Sequence, residues 1–77
     1  MLNPKVTVII VNYNSKLKWD VVGKCLKSIL SMDYRPIEII IVDNGSTDGS
    51  FELIEQLSNR VKQGQDFIIR IIRLSKN

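Results

Sequence analysis

An α/β fold, a single βαβαβ unit with a parallel three-stranded sheet and helices, is predicted by three features of the 77-residue chain. Short runs rich in β-branched residues, Val6 to Val11, Ile37 to Val42 and Phe67 to Leu74, are separated by two segments whose apolar residues recur at intervals of three and four. Strands alternating with helical segments of this length pair in parallel, because each crossover carries the chain back to where the next strand starts. The first two runs end abruptly in polar loops, Asn12-Tyr13-Asn14-Ser15 and Asp43-Asn44-Gly45-Ser46-Thr47-Asp48-Gly49. In open α/β sheets ligands sit at such carboxyl ends, where the departing loops leave a crevice.

Each element has its own justification. Val6 to Val11 is a near-continuous apolar run, the kind buried on both faces of a parallel sheet. From Trp19 onward, Trp19, Val22, Leu26, Ile29 and Leu30 make one face of an amphipathic helix that ends near Met32. Asp33-Tyr34-Arg35-Pro36 is a turn, since proline biases its predecessor away from helical angles. The second strand, Ile37 to Val42, follows. Ser46 or Thr47 is expected to cap a second helix with Phe51, Leu53, Ile54, Leu57 and Val61 as its apolar positions. Gln63-Gly64-Gln65-Asp66 closes that helix, Phe67 to Leu74 is the third strand, and Ser75-Lys76-Asn77 begins a loop. Right-handed crossovers bring all three strand ends to one edge, in what is half of a nucleotide-binding fold. Alone, the unit leaves strand edges unpaired and one sheet face uncovered, so residues 1–77 are expected to be the front part of a larger domain, with self-association through the exposed edges.

Composition excludes several chemistries. There is no histidine, which removes Ser-His-Asp and Cys-His catalysis and disfavours a zinc site. The single cysteine, Cys25, cannot form an internal disulfide and, lying amid Val21, Val22, Leu26 and Ile29, is expected to be a buried thiol in a reducing compartment. The net charge of +3 is mild, and the basic residues are spread out rather than clustered, the pattern of solvated surfaces and not of a nucleic-acid footprint. Apolar runs of about six residues are far shorter than the roughly 20 needed to cross a bilayer, and there is no signal-peptide pattern at the N-terminus. A cytoplasmic location is expected.

The strand-end residues admit two readings each. Asp43 either caps its turn or accepts hydrogen bonds from a ribose or a base N–H. Ser46, Thr47, Asp48 and Gly49 read first as an ordinary polar start to a helix. Tyr13 packs or stacks on a base, with Asn12 and Asn14 able to hydrogen-bond to one. Other motifs fail at identifiable points. The first strand-to-helix turn lacks the glycines of a dinucleotide fingerprint, and no P-loop is present. Asn44 to Glu55 imitates a calcium-binding EF-hand loop but is entered from a strand. A receiver-like signalling domain would want acids at the first strand end, where Asn12 and Asn14 stand.

Val6-Thr7-Val8-Ile9-Ile10-Val11-Asn12-Tyr13-Asn14-Ser15, then Cys25-Leu26-Lys27-Ser28-Ile29-Leu30, then Glu38-Ile39-Ile40-Ile41-Val42-Asp43-Asn44-Gly45-Ser46-Thr47-Asp48-Gly49-Ser50 resemble the opening of a family 2 glycosyltransferase with the Rossmann-like GT-A fold. The order and spacing of the three segments make the resemblance specific, and it covers essentially the whole chain. It implies that this segment binds a nucleotide-diphosphate sugar, UDP- or dTDP-linked, with Asn12, Tyr13 and Asn14 lining the base pocket and Asp43 hydrogen-bonding the base. Asn44, Gly45, Ser46 and Asp48 would shape the adjoining loop. Where the commoner family form has Pro-Thr before the tyrosine and a second aspartate after the first, this chain has Val11-Asn12 and Asn44, a variant that resembles the rhamnosyltransferase-like branch.

The resemblance also implies an inverting enzyme that moves a hexosyl or rhamnosyl group to an acceptor hydroxyl on a sugar, lipid or polysaccharide, at the cytoplasmic face of a membrane if the parent protein is so anchored. The family's Asp-x-Asp motif, which holds a divalent cation (Mg or Mn), and its catalytic base both lie beyond the segment matched here. No catalytic residue and no metal ligand is therefore expected among residues 1–77, and the isolated chain is expected to be inactive. A non-catalytic nucleotide-binding or assembly module is the alternative.

Overall fold

A computed structural model of the chain describes residues 3–75. Strands β1 (Val6–Asn12), β2 (Ile37–Asp43) and β3 (Phe67–Arg73) form a parallel sheet in the order β1-β2-β3, with helix α1 (Trp19–Leu30) in the first crossover and α2 (Ser50–Asn59) in the second. This is the predicted alternation, with small differences at the ends. β1 and β2 each take in the first polar residue of their loops, and a 3-10 turn at Lys16–Lys18 leads into α1.

The side-chain period of two sorts each strand. In β2, Ile37, Ile39, Ile41 and Asp43 are buried, while Glu38, Ile40 and Val42 between them are only partly covered. The buried set meets Leu26 and Leu30 of α1, Ile54 of α2, and Phe67 and Ile69 of β3 in one core cluster, so both helices cover the same face. Alignment of the strands is in step along their whole length: Val6, Ile37 and Phe67 form one row, and Asn12, Asp43 and Arg73 the last. The polar ends of all three strands therefore lie side by side.

Two expectations are corrected. β1 is not buried on both faces, for Ile9 is 65% and Val11 69% exposed. Helices on one side leave the opposite face of Thr7, Ile9, Val11, Glu38, Ile40, Val42, Ile68, Arg70 and Ile72 open, and among the described residues ion pairs from Lys5 (3.2 Å) and Arg70 (2.6 Å) to Glu38 cross it. Cys25 is exposed rather than buried. The face of α1 turned to the sheet is Val22, Gly23, Leu26, Ile29 and Leu30, and Cys25 lies with exposed Val21, four residues earlier, on the outer side.

Candidate functional site

The last row of the sheet is polar and almost sealed. Asn12 is 5% exposed, Asp43 0%, Ser46 3% and Ser50 0%. Buried polar groups need partners, and these supply one another. The Asn12 side-chain Nδ2 lies 2.9 Å from Asp43 Oδ1, 3.1 Å from Ser50 Oγ and 3.2 Å from Ser46 Oγ, so its two protons are shared among three acceptors. Asn12 Oδ1 in turn accepts from the Ser15 hydroxyl. The Asp43 carboxylate closes its own loop: Oδ1 accepts from Ser46 Oγ (2.7 Å), and Oδ2 accepts from the Ser46 backbone N–H (2.9 Å). The Ser46 N–H, three residues on, donates to the Asp43 side chain and closes the loop locally, with Gly45 between them at φ 79°, a left-handed angle that favours glycine.

The two loops are then stitched together above that floor. Ser46 Oγ accepts from the Asn14 N–H (2.9 Å), Asn14 Oδ1 accepts from the Thr47 N–H (2.8 Å), and Asp48 Oδ2 accepts from the Lys16 N–H (2.9 Å). Asn14 sits at φ 46°, tolerable because a short polar side chain compensates locally. The predicted cap of α2 is corrected here. The helix starts at Ser50, behind Gly49 at φ 92°, and its first-turn N–H is met by Asp48 Oδ1 (2.9 Å) rather than by Ser46 or Thr47. Ser46 is unavailable because its hydroxyl is already committed between Asp43 and Asn14.

Electrostatics follow from this enclosure. Burial pushes the Asp43 carboxyl up, but the Ser46 hydroxyl, the Asn12 amide, the Ser46 N–H and the nearby Arg73 charge outweigh it and hold the group below the ordinary aspartate value of 3.8. Asp48 is also lowered: burial raises it, and bonds from the Lys16 N–H and from Ser50 prevail. Arg73, at the end of β3, places Nε 3.9 Å from Asp43 Oδ2, donates to the Ser46 carbonyl (3.2 Å) and stacks 4.2 Å from the Phe51 ring centre.

All eight residues singled out from the sequence, Asn12, Tyr13, Asn14, Asp43, Asn44, Gly45, Ser46 and Asp48, lie in this one assembly, but they divide by direction. Asn12, Asp43 and Ser46 form the floor. Tyr13 is half exposed, and the half-buried Asn44 has its N–H on the Asn12 carbonyl (2.8 Å) while its side-chain amide has no partner among the described residues. Ser15, Ser50, Phe51 and Arg73 were not among the candidates. Aligning the three strand ends residue by residue could have found Arg73, and the hydroxyls carry no signal apart from their closeness to the two loops. Neither Asp43 nor Asp48 suits a metal, because each is engaged by internal donors; among the described residues no cluster of three or more cysteine, aspartate or glutamate side chains could hold an ion.

Comparison with known proteins bears on the same residues. The chain is 40% identical over 58 residues to the glycosyltransferase GlyA of Streptococcus pneumoniae serotype 4, a match covering 75% of this chain and 8% of that protein. It is 41% identical over 56 residues to the uncharacterized glycosyltransferase alr2836 of Nostoc sp., covering 73% of this chain and 16% of the relative. A third relative, the UDP-Glc:alpha-D-GlcNAc-diphosphoundecaprenol beta-1,3-glucosyltransferase WfaP of Escherichia coli, is 39% identical over 54 residues, covering 70% and 20%. The matches thus span between 8% and 20% of these relatives' length. The sequence model described as Glycosyl transferase family 2 matches residues 7–77, from the second residue of β1 through both stitched loops and beyond β3. With its parallel βαβαβ sheet, its paired strand-end loops and this match, the chain belongs to glycosyl transferase family 2.

Proposed function

We propose that the stitched loops bind the nucleotide of a UDP- or dTDP-linked sugar, and that the chain is the front part of a domain which transfers that sugar, with inversion, to an acceptor hydroxyl. The observation that carries this reading is the division of the eight residues. A sealed hydrogen-bonded floor of Asn12, Asp43 and Ser46 lies beside the exposed Tyr13 ring and the Asn44 amide, which has no partner among the described residues, at one strand-end edge. Asparagine suits a pyrimidine edge, because its amide both donates and accepts, whereas the Asp43 oxygens are already engaged by internal donors. In this reading Asp43 serves the base indirectly, by fixing the loop that carries Asn44, and Gly45, Asn14 and Asp48 shape that loop.

The complete domain would use a divalent cation on the sugar diphosphate and a catalytic base for the acceptor hydroxyl, supplied by residues outside this segment. The segment alone would bind without turnover. The name of the Escherichia coli relative, with its UDP-linked donor and lipid-diphosphate acceptor, supports UDP over dTDP and a lipid-linked acceptor reached at a membrane face. The open sheet face supports a further layer of the domain over Ile9, Val11, Ile40, Val42 and Ile72.

Calorimetric titration of the chain with UDP and dTDP, with and without Mn2+, tests the nucleotide site. Metal-independent binding is expected, weakened by Tyr13→Ala by about 1–3 kcal/mol, the range for loss of one base-aromatic stack. A folded chain that bound neither nucleotide would end the reading. Binding that persisted without turnover in the complete domain would favour the non-catalytic alternative. Self-association is expected of the chain on its own, through the open face and the β1 and β3 edges. Sedimentation equilibrium should give a mass rising with concentration, and Val11→Lys should reduce it; a concentration-independent monomer would refute this expectation.

A further inference from the structure

The basic residues are spread along the chain, but those leading into and through α1 stand almost without acids. Residues 16–30 carry Lys16, Lys18, Lys24 and Lys27 against Asp20 alone, a net +3. The end of the chain is as basic in sequence, but Arg70 and Arg73 there pair with Glu38, Asp43 and Glu52, whereas Lys18, Lys24 and Lys27 form no ion pair among the described residues. The same segment projects two apolar side chains into solvent: Leu17, in the 3-10 turn, is 98% exposed, and Val21, in the first turn of α1, is 67% exposed. The exposed Ile9, Val11 and Ile72 belong to the open sheet face. Leu17 and Val21 instead stand on the outer surface of the helical layer, four residues apart, with Lys24 continuing the stripe three residues on. Lys16 turns away from them, its Nζ 3.9 Å from where a side chain on Gly49 would begin.

The form of this surface selects its partner. Apolar side chains that stand proud of the surface need a medium that yields around them, whereas a folded partner would have to offer a matching pocket. Lysines around protruding leucine and valine are the pattern of a helix lying in the headgroup layer of an anionic bilayer, where cations meet phosphates and apolar residues reach the acyl boundary. A groove of about 370 Å³ between α1 and α2, lined by Trp19, Lys24, Lys27 and Arg60, adds cations beside the stripe. We propose that the 3-10 turn and the first half of α1 dock on an anionic lipid surface, with Leu17 and Val21 entering the interfacial layer and Lys18, Lys24 and Lys27 meeting headgroup phosphates. The docking stands on charge and exposure alone. Its consequence rests on the transfer reading: the Lys16 N–H holds Asp48 at 2.9 Å, so the contact lies directly beside the nucleotide loops and would bring them to the surface where a lipid-linked acceptor resides.

The test uses the 77-residue chain and vesicles of phosphatidylcholine alone or mixed with phosphatidylglycerol, with binding read by co-sedimentation and by the fluorescence of Trp19, the only tryptophan. Binding to the anionic vesicles only, a blue shift of Trp19 and weakening by salt are expected. Each of Lys18→Gln, Lys24→Gln and Lys27→Gln should weaken binding about fivefold. Leu17→Asp with Val21→Asp should abolish it while leaving the circular dichroism spectrum unchanged, since neither side chain is in the core. No binding to anionic vesicles at low salt overturns the proposal, as does equal binding by the Leu17→Asp, Val21→Asp variant. A Trp19 shift with an acidic peptide but not with vesicles would also overturn it and give the surface to a protein partner. Nucleotide titration of the same variants separates the two readings: docking that fails while UDP still binds leaves the nucleotide site intact, and the converse leaves the docking.

Discussion

Asp43→Ala is expected to unfold the chain rather than merely to empty a ligand site. The carboxylate is 0% exposed and accepts from the Asn12 amide, the Ser46 hydroxyl and the Ser46 N–H. Alanine leaves these buried donors facing nothing, and breaking a buried charged network from one side costs about 3–5 kcal/mol. A natural chain of this length has roughly 4–12 kcal/mol in all, and small domains lie toward the lower end. Urea titration followed by circular dichroism should find no cooperative transition, or one displaced to very low denaturant. Asp43→Asn keeps one acceptor oxygen and should fold with a reduced midpoint. If Asp43→Ala unfolds within about 1 kcal/mol of the wild type, the carboxylate does not hold the loops together. Loss of nucleotide binding on Asp43→Ala therefore carries no information about the base, and Tyr13 and Asn44 are the positions to vary.

Asn12→Asp should be as damaging at neutral pH and should reverse the chain's response to acid. The substitution puts a carboxylate oxygen where Nδ2 now lies, 2.9 Å from Asp43 Oδ1, and removes the protons that the Ser46 and Ser50 hydroxyl oxygens share. Two buried carboxylates at that distance cannot both ionise, so the pair retains a proton and titrates above the ordinary range. A cost of about 3–5 kcal/mol is expected at neutral pH. In the wild type the folded-state value of Asp43 is lowered, so its contribution is fully present above 3.8 and is lost as pH falls through the lowered value. Glu38, held low by hydrogen bonds from Arg70 and Lys5, changes in the same direction. In the variant the raised pair is stabilising below the ordinary value and loses that stability as pH rises through its own. Melting temperatures between about pH 3 and pH 8 should therefore fall toward acid for the wild type and toward neutrality for the variant. Parallel profiles would mean that the two side chains do not share a proton.

Much of the fold was legible because the signals were local. The β-branched runs, the helical period from Trp19 to Leu30 and the polar strand ends each declare themselves within a few residues, and the structure has each element at its place. The residues that turn outward or inward were harder to read. Cys25 has apolar neighbours in sequence, yet a helix presents neighbours to different sides, and only the choice of which stripe faces the sheet decides its exposure. Val6 to Val11 is as apolar as Ile37 to Val42, but β1 is an edge strand and β2 is central, a fact of order rather than of composition. At the candidate site, the eight residues were named by motif, whereas their division into a sealed floor and more exposed groups depends on contacts across 31 to 38 positions of chain. Arg73 escaped because a run reading Phe67-Ile68-Ile69-Arg70-Ile71-Ile72-Arg73 does not say which arginine ends beside Asp43.

That ambiguity gives the row of Asn12, Asp43 and Arg73 a second significance. In β1 the inward Val8 and Ile10 and the outward Ile9 and Val11 are nearly interchangeable, so apolar packing alone penalises a one-residue slip of that strand weakly, although such a slip turns every side chain to the other face. The polar row is different. A slip of β1 by one would swing the Asn12 amide to the opposite face and leave the Asp43 carboxylate sealed without its donor, a mistake far more costly than exchanging one isoleucine for the next. The groups that hold the two strand-end loops together thus also act as the alignment key of the sheet, and a chain that has paired its strands wrongly cannot at the same time keep those loops joined.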